Sequence, residues 1–122
     1  MYKGILYDRS TGVFNGKVFV RQEAQLTNAY QQNANIVADA GASINAKPEL
    51  EIYADDVKCS HGCTVGQFDD EALFYLKSRG IGDKAARALM VQAFIGDVLE
   101  GMSQAEVAQE VETLLADRHG WS

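Results

Sequence analysis

The stretch EIYADDVKCSHGCTVG, from Glu51 to Gly66, separates two parts of the sequence that differ in their hydrophobic periodicity. Before it, short β-branched and aromatic runs alternate with turn residues, which is typical of β-strands. After it, apolar residues recur at intervals of three and four, which is typical of amphipathic helices. The same stretch holds both cysteines and one of the two histidines. We therefore expect a mainly β segment over residues 1–68, a helical region over residues 69–122, and the functional chemistry near their boundary.

Length, charge and cysteine content exclude several classes of protein. The 122 residues carry a net charge of -6, and no basic cluster is present that could neutralise nucleic-acid phosphates. No apolar run approaches the roughly 20 residues that a membrane span needs, and the N-terminus leads directly into a strand pattern without a signal peptide. In an extended segment the Cα atoms of Cys59 and Cys63 lie about 13 Å apart, too far for a disulfide. We expect a cytoplasmic protein with free thiols and no nucleic-acid or membrane partner.

The N-terminal strands recur at regular intervals. Strand patterns cover residues 2–9 and 12–23, and apolar clusters centre on Phe19, Ile36 and Ile52, at intervals of 17 and 16 residues. This spacing predicts a parallel β-solenoid in which each cluster stacks on the next, with amide-rich corners between strands. A small antiparallel sandwich is the alternative. The amides assigned to the corners are Gln25, Asn28, Gln31, Gln32, Asn33, Asn35 and Asn45.

Turn signals refine the β segment. The Asn15-Gly16 pair is typical of a hairpin, but the regular spacing favours a continuous strand through it. Pro48 is expected at the start of a strand, where it costs no ladder hydrogen bond. The apolar phase changes after Asp55-Asp56, which predicts that the chain turns or bulges there.

Three amphipathic helices are predicted after residue 68. Asp69 or Asp70 can cap the first, which ends near Gly80. Asp83 can cap the second, and Ser103-Gln-Ala-Glu106 reads as a capping box for the third. The second helix carries an apolar face that could bind a partner protein, formed by Ala86, Leu89, Met90, Phe94 and Val98.

Cys59, His61 and Cys63 form a row of soft ligands. At spacings of two residues, all three side chains of an extended strand project from one face. Thiolate and imidazole bind zinc, copper(I) and iron-sulfur clusters. Two sulfurs on one zinc lie only about 4 Å apart, so a single strand cannot close a three-ligand site unless Gly62 bends it. Either a second chain supplies the missing ligands, or the row simply fills a narrow core.

Catalysis is not expected from the sequence. Neither a Gly-x-Ser-x-Gly nor a His-Glu-x-x-His motif accompanies the row, so a serine or zinc hydrolase is disfavoured. The neighbouring acidic residues, Asp55, Asp56, Asp69 and Asp70, read as turn and cap residues rather than as a catalytic pair. A metal-dependent enzyme is therefore the least favoured class.

Three motifs resemble the C-terminal part of the SufB/SufD family of iron-sulfur cluster assembly scaffolds, with SufD the more similar. They are Phe14-Asn15-Gly16, the run KPELEIYADDVKCSHG from Lys47 to Gly62, and the run DEALFYLKSRGI from Asp70 to Ile81. The resemblance implies a right-handed parallel β-helix followed by a helical C-terminal region. It also implies a scaffold subunit of a SufBCD complex, with a SufB-like paralogue and a SufC-like ATPase as partners.

The resemblance also implies roles for individual residues. Cys59 and His61 match SufD positions at the interface with SufB, where a transient iron-sulfur cluster or iron would be shared and not held stably by this chain alone. The helical segment 83–99 would dock the ATPase. In the alternative function, the chain is a purely architectural adaptor for the ATPase and the Cys/His row has no metal.

Two features depart from the family pattern. The family usually has alanine where this chain has Cys63, which is then either an extra thiol or a further metal ligand. Family members are also much longer, so the chain resembles a C-terminal fragment that begins inside the β-helix. Its first strand would be left with an unpaired edge, and we expect the isolated chain to form a homodimer.

Overall fold

Parallel strands precede three helices in the computed structural model, which describes residues 1–120. The strands are β1 Tyr2–Leu6, β2 Thr11–Val20, β3 Asn28–Val37, β4 Ser43–Ile52 and β5 Lys58–Gly66, and the helices are α1 Asp70–Ser78, α2 Asp83–Glu100 and α3 Ala105–His119. The chain divides into two compact units, Met1–Gln67 and the residues from Phe68 onward. The predicted order of strands followed by helices is confirmed.

The five strands form two parallel sheets. One has the order β1-β3-β5 and the other contains β2 and β4, so that successive strands lie in alternate sheets. Every strand pair is parallel, which makes the antiparallel sandwich wrong. Asn15 and Gly16 lie inside β2 and pair with Lys47 and Pro48, so the expected continuous strand is confirmed.

Strands pair with the strand two positions earlier in the chain. Thr11 lies beside Ser43, 32 residues later, and Asn33 lies beside Cys63, 30 residues later. The apolar clusters 16 and 17 residues apart therefore do not stack on one another, and this part of the prediction is wrong. Val18 stacks on Leu50, whereas Ile36 lies in the other sheet. The sequence spacing measured the step between sheets, which is half of the true repeat.

Pro48 lies in the middle of β4 and not at its start. Its Cα partner is Gly16 of β2, and β4 has no further strand on its other side in the described chain. Proline is tolerated within an edge strand when its nitrogen faces the open side, because no ladder hydrogen bond is lost there. The predicted strand start is therefore wrong, but the physical reason for tolerating the proline is the same.

Amide side chains form part of the core of the first unit. Gln31, Asn33 and Asn35 are buried within β3, together with the apolar Leu6 and Val20. Asn35 Nδ2 donates to Asn33 Oδ1 at 2.7 Å and to the Thr64 carbonyl at 3.3 Å. The prediction that these three amides occupy corners is wrong, because the side chains of the two asparagines hydrogen-bond one another and their neighbours inside the sheet.

Helix α1 begins as the sequence predicts. Asp69 precedes it in an extended conformation, and its Oδ1 accepts hydrogen bonds from the backbone N–H groups of Glu71 at 2.9 Å and Ala72 at 3.2 Å. These bonds satisfy two of the donors that a helix leaves unpaired at its N-terminus. Gly80 follows the last turn with φ of 87°, a conformation that glycine adopts without a Cβ clash.

The caps predicted for the other two helices are wrong. Gly82 occupies the cap position of α2, and Asp83 is the first helical residue, held by Lys77 and Arg87 at 2.9 Å each. Gln104 precedes α3 without a side-chain cap bond, and the Ser103 hydroxyl lies 3.3 Å from Gln104 Oε1. In both cases a side-chain partner close by competes with the backbone N–H groups for the predicted capping residue.

The core of the second unit is small and apolar. It contains Phe68, Leu73, Ala86 and Val91, contributed by α1, α2 and the segment before α1. The Arg87 guanidinium lies 5.5 Å from the centre of the Phe68 ring, a cation–π distance. Among the described residues, none of the helices combines the length and apolar character needed to cross a bilayer.

Candidate functional site

Strand β5 places the three soft ligands on one face of its sheet. Cys59, His61 and Cys63 have Ala29, Gln31 and Asn33 of β3 as their Cα partners. In a parallel pair, residues in register point to the same face. The Cys63 thiol lies 3.6 Å from Asn33 Oδ1, which places the row on the same side of the sheet as the buried amides of β3. The predicted common face is therefore confirmed.

The row lies on the inner face of its sheet, which we define as the side that carries Gln31, Asn33 and Asn35. This side is turned toward β2, since a Cβ at Gly16 would come within 2.6 Å of Gln31 Nε2. Despite this orientation, His61 and Cys63 are exposed and Cys59 is half-buried. The reason is that β5 is an edge strand of the β1-β3-β5 sheet within the described chain, and one side of the row is open.

A surface cleft reaches the end of the row. It has a volume of about 470 Å³ and is lined by Cys63 and Val65 of β5 together with residues of β2 and β4. The β2 and β4 residues are Val13, Asn15, Ile44, Asn45, Ala46 and Lys47. Its lining includes one thiol and one amine, so by itself it offers too few ligands for a metal ion.

The described residues do not by themselves assemble a metal centre. Within residues 1–120, no group of three or more histidine, cysteine, aspartate or glutamate side chains is arranged to hold a metal ion. Cys59 and His61 lie on one face, and a four-coordinate site would need further ligands from another source. The roles of Cys59, His61 and Cys63 as ligands stay predictions.

Gln31 is a site residue that the sequence reasoning did not find. It is buried, at 8% exposure, and its Oε1 has no hydrogen-bond partner. Its Cα partner is His61. The separation of 30 residues between Gln31 and His61 could have found it, but only with knowledge of which strands pair.

The residues predicted to bind a partner lie differently along α2. Ala86 has no exposed surface, whereas Leu89 is 44% exposed. The remaining three, Met90, Phe94 and Val98, are half-buried. The partner-binding role of this face stays a prediction.

Comparison with known proteins assigns the family. The family model described as "SUF system FeS cluster assembly, SufBD core domain" matches residues 1–94, which include all five strands, α1 and much of α2. The chain belongs to the SufBD family. The resemblance seen in the sequence motifs is thus confirmed, and SufBD members form part of the machinery of iron-sulfur cluster assembly.

Individual relatives support the same assignment. A SufBD family protein of Synechocystis is 49% identical over 107 residues, and SufD of Escherichia coli is 42% identical over 118 residues. SufD of Bacillus subtilis is 30% identical over 112 residues. These alignments cover 88%, 97% and 92% of this SufBD chain, and 24%, 28% and 26% of the respective relatives. The chain thus spans about a quarter of the length of the curated relatives it matches.

A polar cluster lies on the outer side of β2 and β4 in this SufBD chain. Glu51 accepts hydrogen bonds from the Tyr53 hydroxyl and from Lys17 Nζ, the latter at 3.0 Å. The Phe19 and Tyr53 rings lie 5.3 Å apart. The bond from Tyr53, followed by the bond from Lys17, holds the pKa of Glu51 below its ordinary value.

We expect Tyr53→Phe to raise the pKa of Glu51 toward its ordinary value, because the substitution removes the largest cause of the depression. Since the folded pKa is below the unfolded one, Glu51 stabilises the fold above its unfolded pKa. This contribution is lost as the pH falls through the folded pKa. NMR titration of the Glu51 carboxyl carbon measures the change. Tyr75→Phe in α1 is the control, and an unchanged Glu51 pKa in Tyr53→Phe would contradict the assignment.

Proposed function

We propose that this chain is a non-catalytic scaffold segment of a SufBCD-type complex and supplies Cys59 and His61 to an iron-sulfur cluster site shared with a SufB-like subunit. The observation that carries the proposal is the position of the row. Its side chains share one face of an edge strand, and His61 is exposed. A second chain can therefore approach the row without unfolding the sheet.

The ligand chemistry supports a shared site. One thiolate and one imidazole match the ligands of iron-sulfur clusters, in which histidine can replace cysteine on an iron. Two residues along an extended strand span only about 6.6 Å, so Cys59 and His61 can approach neighbouring atoms of one small cluster. The other ligands would come from the SufB-like partner. The cluster is cargo in this scheme, assembled and then released, which suits an incomplete set of ligands on each chain.

The alternation of strands supports a β-helix as the finer description of the fold. Each strand pairs with one 30 to 32 residues away, and consecutive strands belong to different sheets. A chain that winds around a common axis, with two strands in each turn, produces this pairing. Parallel crossovers are right-handed in nearly all proteins, which supports the right-handed coil implied by the family.

Docking of a SufC-like ATPase on the helical unit is a second part of the proposal. Leu89 of α2 is exposed, and Phe74 of α1 is 74% exposed. Exposed apolar side chains on two helices are a feature of surfaces that bind another protein. If this were the only role, the chain would be an adaptor without metal ligands of its own. Ala86 would then support the helix from inside and not touch the partner.

The remaining proposals concern the state of the chain. The free thiols of Cys59 and Cys63 suit a reducing compartment, and we place the protein in the cytoplasm. As an isolated piece, the chain would form a homodimer through an open sheet edge, β1 or β5. In the complex, the β5 edge would instead meet the SufB-like subunit.

The function is tested by anaerobic reconstitution with SufB-like and SufC-like proteins, iron and a sulfide source. The chain is used within the longer protein expected to contain it. We expect the visible absorbance of an iron-sulfur cluster to appear in the complete mixture and to fall when this protein is omitted. Equal absorbance with and without it would contradict the scaffold proposal.

A further inference from the structure

We propose that Gln31 is the positioning residue for His61. Its Oε1 accepts a hydrogen bond from one imidazole N–H, which leaves the other ring nitrogen free to bind iron. The inference rests on the proposed function, in which His61 is a ligand. It adds a residue that contacts no metal and fixes the tautomer and orientation of the one that does.

The first observation is an unsatisfied buried oxygen. Gln31 is only 8% exposed, and within the described residues its Oε1 is the buried side-chain oxygen that lacks any hydrogen-bond partner. The neighbouring buried amides differ, since Asn35 donates to Asn33 at 2.7 Å. A buried acceptor without a donor is unfavourable, and it indicates a partner that arrives or rotates into place.

The second observation is the register of the two strands. Gln31 of β3 and His61 of β5 are Cα partners, and both side chains belong to the inner face. Adjacent strands lie about 4.8 Å apart, so a rotation of the exposed imidazole brings a ring nitrogen within reach of the amide oxygen. The next residues along the face do not compete for Gln31 in the same way, because Cys63 is paired with Asn33.

The chemistry of imidazole gives this contact a role. A neutral imidazole carries one N–H and one lone pair, and the acceptor that binds the N–H decides which nitrogen keeps the lone pair. Metal-binding histidines usually donate their second ring nitrogen to such an acceptor. An amide oxygen does this without adding a negative charge next to a cluster that is already rich in thiolate and sulfide.

The opposite sheet leaves space for the amide. A Cβ at Gly16 of β2 would lie 2.6 Å from Gln31 Nε2, so any larger residue at this position would displace the Gln31 side chain. Gly16 therefore allows the amide to lie flat inside the unit, with its length directed across the inner face. Gly16 thus contributes to the site through Gln31.

The test reads the tautomer of His61 by NMR of the full chain labelled with ¹⁵N in its histidine rings, without metal and at a pH where imidazole is neutral. Only two histidines contribute signals, and His119→Gln assigns them. We expect wild-type His61 to populate one tautomer predominantly. Gln31→Met, which has a similar length and no amide, should return the ratio to that of free imidazole, and Gln31→Glu should restore the single tautomer.

The matched control is Gln32→Met, the same change on the opposite face of β3. It should leave the His61 tautomer unchanged. In the reconstitution assay, Gln31→Met should lower cluster yield by about tenfold or more, as removal of a supporting hydrogen bond does at other metal sites. The Gln31→Glu variant should recover part of that yield.

Two results would overturn the inference. One is a solvent-like tautomer mixture in the wild-type chain, which needs no variant to fold. The other is an unchanged tautomer in a folded Gln31→Met chain. Failure of the proposed function is a separate result: full cluster yield from His61→Ala would remove His61 as a ligand, while the metal-free tautomer measurement would stand.

Discussion

His61→Ala is expected to lower the yield of cluster absorbance by at least about tenfold in the reconstituted complex, since it removes a ligand and not merely its support. The exposed edge position of His61 makes a large structural effect of the substitution unexpected, because few contacts are lost there. Cys59→Ala should act in the same direction. The absorbance of the anaerobic mixture measures both.

The matched control for this loss is His119→Ala, because His119 is the other histidine of the chain and lies in α3. Its cluster yield should equal that of the wild type. Size-exclusion chromatography must show that the His61→Ala complex still assembles. Full cluster formation by both His61→Ala and Cys59→Ala would leave the adaptor function as the better account and would assign the ligands to the partner.

Leu73→Ala is expected to destabilise the helical unit by about 2–5 kcal/mol, the range for removing a buried leucine side chain. Leu73 is 6% exposed and is one of the few large apolar side chains in that core. The adjacent Phe74 is 74% exposed, so Phe74→Ala should change the free energy of unfolding by less than about 0.5 kcal/mol. The pair separates burial from residue size, because the larger side chain has the smaller effect.

Urea unfolding followed by the amide signals of α1 measures this difference. Because the chain contains two compact units, a signal averaged over the whole chain would mix two transitions. The amides of β3 report on the first unit and serve as the internal control. Equal destabilisation by Leu73→Ala and Phe74→Ala would contradict the assignment of Leu73 to the core.

Features set by short stretches of sequence were predictable. The Asp69 cap, the turn at Asp55-Asp56 and the alternation of Cys59, His61 and Cys63 each depend on a few adjacent residues. Local conformational preferences and side-chain periodicity are therefore sufficient to find them. The family resemblance came from the same contiguous motifs.

Features set by pairing between distant strands were not predictable in the same way. Nothing within β3 reveals that Asn33 and Asn35 hydrogen-bond one another in a buried sheet, since asparagine and glutamine ordinarily favour turns and the surface. The stacking of Val18 on Leu50 and not on Ile36 depends on which strands share a sheet. Gln31 was missed for this reason, because its link to His61 exists only through the register.

The separation of 30 to 32 residues between paired strands has a consequence for biosynthesis. Translation adds about 5–20 residues per second, so β1 emerges roughly 2 to 6 seconds before the β3 residues that pair with it. The helices need no such wait, because their hydrogen bonds join residues four apart. During this interval the nascent strands expose unpaired backbone groups, and a holding chaperone or a neighbouring chain can bind them before the sheet closes.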